Sequence, residues 1–148
     1  EQCTTRTNPL LVVSLYTEAM LLADEARACF DRSFDAGHLS PEISVAFSCE
    51  SLKVTTRLMH SIAWLLNQKA LRAGEITESE ARNETNNLGY APASDGPLVL
   101  QFPPETQALI SASEELYGRL QQLSEKMRAT VPQASEPHAM RDRLRASF

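Results

Sequence analysis

The chain has 148 residues, of which 43% are hydrophobic and 22% charged, a balance that fits one globular domain with a real core and excludes wholesale disorder. A net charge of −5 weighs against a nucleic-acid-binding protein, which needs a basic face to meet phosphates. The longest nearly uncharged apolar run, Pro9 to Thr17, is far short of the roughly 20 residues that a membrane-spanning helix requires.

The first helix is expected to start at Asn8-Pro9, because Asn is a favoured cap and Pro is tolerated where a helix has no acceptor for its amide. Val12, Leu15, Tyr16, Ala19, Leu22, Ala23, Ala26 and Phe30 form its inward stripe, and the pattern fades before the turn Asp35-Ala-Gly-His38. Ser40-Pro41 opens the second helix in the same manner, with Glu42 at the positive end of its dipole. Gly74 is placed to stop it, so it runs about 33 residues, roughly 50 Å at 1.5 Å per residue. Leu58, Met59, Ile62, Leu65 and Leu66 recur on it at three- and four-residue steps. A helix this long and this apolar over a wide arc is expected to bury two faces, either within the bundle or against a second subunit, which motivates a homodimer.

Thr77-Glu-Ser-Glu80 is a capping box, which predicts a short helix from about Glu78 to Asn86. Asn87 to Phe102, with Gly89, Pro92, Gly96 and Pro97, reads as a loop, pinned across the bundle by Leu98, Val99, Leu100 and Phe102. Pro103-Pro104-Glu105 opens the last long helix, where Leu109, Ser113, Leu116, Leu120, Leu123 and Met127 alternate four- and three-residue steps as a heptad seam does. The pattern stops before Pro132. These elements predict an all-α three-helix bundle of long antiparallel helices over residues 8–131, with a short extra helix, followed by a flexible C-terminal tail over residues 132–148.

Little in the chain carries chemistry. His38, His60 and His138 form no pair at the spacing that places two ligands on one helical face, and Cys49 and His60 stand about 16 Å apart by helical rise. Cys3, Cys29 and Cys49 have no metal-ligand spacing; Cys29 and Cys49 read as small buried hydrophobes, and a reducing cytoplasm suits them best. Glu114 and Glu115 are adjacent and point apart, and no phosphate-binding glycine loop or nucleophile motif occurs. The expectation is a noncatalytic protein without cofactor or metal.

Two readings stay open for Lys53 and Arg57: a solvated face, or a polar recognition surface together with Ser51 and Thr55. Trp64, the only tryptophan, is either core or contact. In the tail, Met140, Leu144 and Phe148 stand four residues apart with Arg141, Arg143 and Arg145 between them, the pattern of a helix that docks in a groove or of a chance periodicity in a disordered tail.

The run Glu50 to Thr77 resembles the signature of the alphaproteobacterial regulator-of-CtrA-degradation (RcdA-like) family, long catalogued as a domain of unknown function. Ser51, Val54 to Met59, Ala63 to Leu66, Gln68 to Ala70 and Gly74 to Thr77 carry the likeness. The resemblance implies a three-helix bundle that dimerises, carries a functionally important tail, and acts as a cytoplasmic adaptor helping the ClpXP protease select a response-regulator substrate such as CtrA. Carried over by position, its protein-binding surface involves Thr55, Thr56, Arg57 and His60; Trp64 and the tail anchors Met140, Leu144 and Phe148 join the candidate protein-binding residues from the residue pattern alone, since the tail matches no family motif. The alternatives from other classes are a DNA-associated transcriptional regulator using Lys53, Arg57, Arg72 and Arg82 as a basic strip, and a purely structural homodimer.

Overall fold

The computed structural model describes residues 8–35, 39–83 and 87–129. Three long helices, α1 (Pro9–Asp35), α2 (Pro41–Ala73) and α5 (Pro104–Ala129), pack on one another, and two short helices, α3 (Glu78–Ala81) and α4 (Gly96–Val99), lie between α2 and α5. No strand occurs among the described residues.

Local chemistry sets the helix ends. The Asn8 side chain accepts from the Leu10 amide at 3.0 Å, and Ser40 accepts from Ile43, so Pro9 and Pro41 each open a helix behind a capping oxygen. Gly74 takes the left-handed conformation (φ 73°), and amide bonds back to Leu71 and Ala70 close α2. The Thr77–Glu80 capping box forms in both directions. The helix it starts is shorter than the sequence pattern predicts, ending at Ala81. The crossover also contains α4, a turn of helix that the loop reading missed; the Asp95 side chain caps it by accepting from the Leu98 amide.

Side-chain contacts fix the directions of the long helices. Tyr16 lies under Lys69 and Phe30 packs on Phe47, so α1 and α2 are antiparallel. Arg32 pairs with Glu105 and Glu18 with Arg119, so α1 and α5 are antiparallel too. It follows that α2 and α5 run parallel, and the chain must return the length of the bundle between them. Residues 74–103 make that return. At its lower end Phe102 meets Phe47 edge-on at 5.4 Å, and Phe30 completes the stack at 5.1 Å.

The core is the one the periodicity predicts for α1 and α5: Val12, Leu15, Ala19, Leu22 and Ala26 are buried against Leu109, Leu116 and Leu120, with Leu123 and Met127 partly buried. From α2 come Phe47, Val54, Leu58, Trp64 and Leu65. Cys29 is buried and lies 3.5 Å from the Thr106 hydroxyl, whereas Cys49 is exposed, contrary to the reading from sequence. No described helix is long and apolar enough to cross a membrane.

Leu120 is fully buried at the centre of this core. Leu120→Ala should cost about 3 kcal/mol through lost transfer energy plus the cavity left behind, read as a lower denaturant midpoint with an unchanged slope.

Candidate protein-binding surface on α2

Helix α2 has two unlike sides. One carries buried polar groups that hold the returning chain. Arg57 is only 2% exposed. Its Nη1 donates to the Ser113 hydroxyl on α5 at 3.1 Å, and its Nη2 donates to the Pro92 carbonyl at 3.1 Å and to the Ser94 hydroxyl at 2.6 Å. The Glu114 carboxylate stands 3.6 Å away. A guanidinium stays charged at any physiological pH, so burying it is tolerable only with oxygens in reach, and here two segments, α5 and the crossover, supply them.

Two turns earlier on the same side, Glu50 is buried as well. Its Oε1 accepts from Lys53 Nζ at 2.8 Å and from the Asp95 amide at 3.2 Å. Burial pushes the Glu50 carboxyl up, but the bonds from Lys53, Ser94 and Asp95, with the Lys53 charge, outweigh it and hold the pKa below its ordinary value of 4.5. Ser94 accepts from Arg57, and the next residue's amide, Asp95, donates to Glu50, so the crossover meets both buried charges here. Further up, the Tyr117 hydroxyl of α5 donates to the Gly89 carbonyl and accepts from the Ala91 amide at 3.1 Å. A Cβ on Gly89 would lie 2.5 Å from Nδ1 of His60, so only glycine lets the backbone approach that ring. The crossover from Gly89 to Phe102 is thus strapped down the α2–α5 groove in register with His60, Arg57, Glu50 and Phe47.

The other side of α2 is apolar and open. Val45 (65% exposed), Leu52 (67%), Met59 (63%) and Leu66 (45%) recur at seven-residue intervals. Cys49 and Ala63, both exposed, and the half-buried Thr56 fill the alternate positions. Together they make a second heptad stripe opposite the one that holds the core. Thr55 and Thr56 each donate their hydroxyl to the carbonyl four residues back, at 2.8 Å, so their protons are used within the helix. Met59 and Leu66 belong to this stripe, while Leu58 and Leu65 are buried. The apolar residues that recur together along α2 in the sequence thus divide between its two sides.

The residues singled out in the sequence separate accordingly. Thr55 and Thr56 lie on or beside the open stripe, and His60 is half-buried at the edge of the strap with its Nδ1 buried and unpartnered. Arg57 and Trp64 are buried in the folded bundle. For Arg57 this corrects both readings from sequence, since it is neither a solvated cation nor a surface contact. The four residues of the basic strip do not line up: Lys53 pairs with Glu50, Arg57 is buried, Arg82 pairs with Glu78, and an Arg72 nitrogen is buried. Met140, Leu144 and Phe148 lie outside the described residues, as do His38, His138 and Cys3. Among the described residues no group of three His, Cys, Asp or Glu side chains could hold a metal ion.

Sequence reasoning missed the strap partners and the full stripe. The signal for the stripe was present, as Val45, Leu52, Met59 and Leu66 are seven apart. For the strap no local pattern exists, because Ser94 and Ser113 meet α2, and Tyr117 meets the crossover, only in three dimensions.

A family model described as a protein of unknown function (DUF1465) matches residues 3–148. Among solved structures, RcdA from Caulobacter crescentus CB15 matches with a TM-score of 0.66 and 29% sequence identity, covering 86% of this chain and 97% of that one. None of the curated proteins matches.

Because the depressed pKa keeps Glu50 ionised in the fold, the stability it contributes is present above the ordinary value of 4.5 and is lost as the pH falls through the folded value. Glu50→Gln should therefore flatten the decline in melting temperature on acidification below pH 4.5 relative to the parent. An equally steep decline in the variant would place the acid sensitivity elsewhere.

Proposed function

Because the chain belongs to the DUF1465 family and is RcdA-like in sequence and fold, we propose that it is a noncatalytic adaptor that assists ClpXP-type proteolysis of a cell-cycle regulator such as CtrA. In this reading it works in the cytoplasm as a homodimer and holds substrate and protease, or the protease's delivery partners, close together. Such a protein raises effective concentration and needs no reactive group of its own.

The observation that carries the reading is the open stripe on α2. An exposed heptad of large apolar side chains on a helix already packed on its other side requires a protein partner to leave water. The stripe is uncharged and regularly spaced, so a second copy complements it as well as any other helix does. Thr55, Thr56 and His60 flank the contact, and Arg57 and Trp64 act through the helix they hold in place. Met140, Leu144 and Phe148 supply a second contact from the tail.

The direct test is a reconstituted ClpXP degradation assay with the organism's own CtrA-like regulator and adaptor partners, with and without the full chain. Faster loss of the regulator only when the chain is present is the expected result. No acceleration with active partners would reject the adaptor role. Leu52→Asp, at an exposed position, should keep the helical content while converting a dimer to a monomer by light scattering at tens of micromolar. A parent that is already monomeric there would remove the homodimer from the proposal.

A further inference from the structure

The open stripe on α2 is ordered by size as well as by spacing. Four residues after each large member, Val45, Leu52, Met59 and Leu66, stands a small one: Cys49, Thr56, Ala63 and Ala70. Cys49 and Ala63 are exposed, and Thr56 and Ala70 are half-buried. The Thr56 hydroxyl is bonded to the Leu52 carbonyl, so the residue brings no unpaired donor to the stripe. Large and small side chains therefore occupy separate heptad positions from Val45 to Ala70.

That separation distinguishes the two ways in which a second copy can lie along the stripe. Two parallel helices related by a two-fold axis are in register, so each residue meets its own counterpart. Layers of two large side chains would then alternate with layers of two small ones, Cys49 on Cys49 and Ala63 on Ala63, and the small layers would be short of contact atoms. Reversing one helix exchanges the heptad positions that face each other, and large meets small in every layer. One register uses the whole stripe: Val45 on the second copy's Ala70, Cys49 on its Leu66, Leu52 on its Ala63 and Thr56 on its Met59. A two-fold axis between Arg57 and Leu58 repeats these pairs in reverse, so the contact closes on itself.

Charge points the same way. The exposed Glu42, seven residues before Cys49, extends the stripe at its N-terminal end. In the parallel arrangement it meets a second Glu42, like charge on like. In the antiparallel one it meets the exposed Ala73, with Lys69 and Arg72 within one turn and Glu75 beyond the helix end.

Given that two copies meet on the α2 stripe, as proposed above, we infer that they meet antiparallel in this register, large side chains of each copy seated on small ones of the other. Because α5 runs parallel to α2, the C-terminal ends of the two α5 helices then lie at opposite poles of the dimer, roughly 50 Å apart by helical rise. A contact made at one pole is repeated at the other, and the two do not touch.

Disulfide trapping on the full chain tests this, in a Cys3→Ser background where Cys49 is the exposed cysteine among the described residues. Positions 49 and 66 are about 25 Å apart along one helix, too far to bond within a chain. Leu66→Cys under a mild oxidant should convert most of the protein to a covalent dimer, and the background should give almost none. A size exchange supplies a second readout. Ala63→Leu sets leucine against leucine and should weaken dimerisation about tenfold, and adding Leu52→Ala should restore it. A covalent dimer through Cys49 in the background would overturn the proposal. So would a Leu66→Cys chain that stays dimeric yet uncrosslinked, or a loss in Ala63→Leu that Leu52→Ala does not restore. A parent that is monomeric by light scattering at tens of micromolar would instead remove the homodimer itself.

Discussion

A guanidinium buried in the middle of α2 must be satisfied by oxygen, and much of the architecture between α2 and α5 follows from that requirement. A guanidinium keeps its charge and offers only donors, so its acceptors must be brought to it. The oxygens come from Ser113 on α5 and from Pro92 and Ser94 on the crossover. Since α2 and α5 run parallel, some return strand was inevitable. Arg57 decides where it lies, and Glu50 and Tyr117 fix its register below and above. The strap closes the α2–α5 groove, and so leaves the side of α2 opposite the core as its free surface.

One helix thus serves two purposes, and its sequence interleaves them. In Val54 to Met59, Val54, Arg57 and Leu58 are buried while Thr55 and Met59 are exposed. A linear signature over this stretch records packing, strap anchoring and surface at once. This is why it identifies the family firmly and points to a contact only loosely. The separation appears when residues are sorted by side of the helix rather than by order in the chain.

The helices, their caps and the cores of α1 and α5 were legible because they rest on local rules: a capping oxygen before a proline, a glycine free to turn left-handed, a repeat that matches the helical period. α2 was harder to divide because it is apolar on two sides, so Leu58 and Met59 look alike in a periodic count although one is buried and the other open. Arg57 was misplaced for a related reason: a lone arginine on an amphipathic helix belongs at the surface unless distant groups neutralise it. Its partners are 35, 37 and 56 residues away, beyond any local pattern. The turn at α4 was missed because Asp95 caps only one turn, too short to show a period.

The spacing of the open stripe limits how anything can lie along it. Val45, Leu52, Met59 and Leu66 recur every seven residues, but a straight α-helix takes 3.6 residues per turn, so the stripe slips back about 20° with each repeat. Over the three intervals from Val45 to Leu66 the slip reaches roughly 60° about the helix axis. A straight rod laid on Leu52 and Met59 loses contact toward both ends. Only a helix that coils left-handed around α2 keeps all four side chains covered. The length of any contact on this face is therefore set by how far two helices will bend around each other, and a stiff partner reaches no further than the middle of α2.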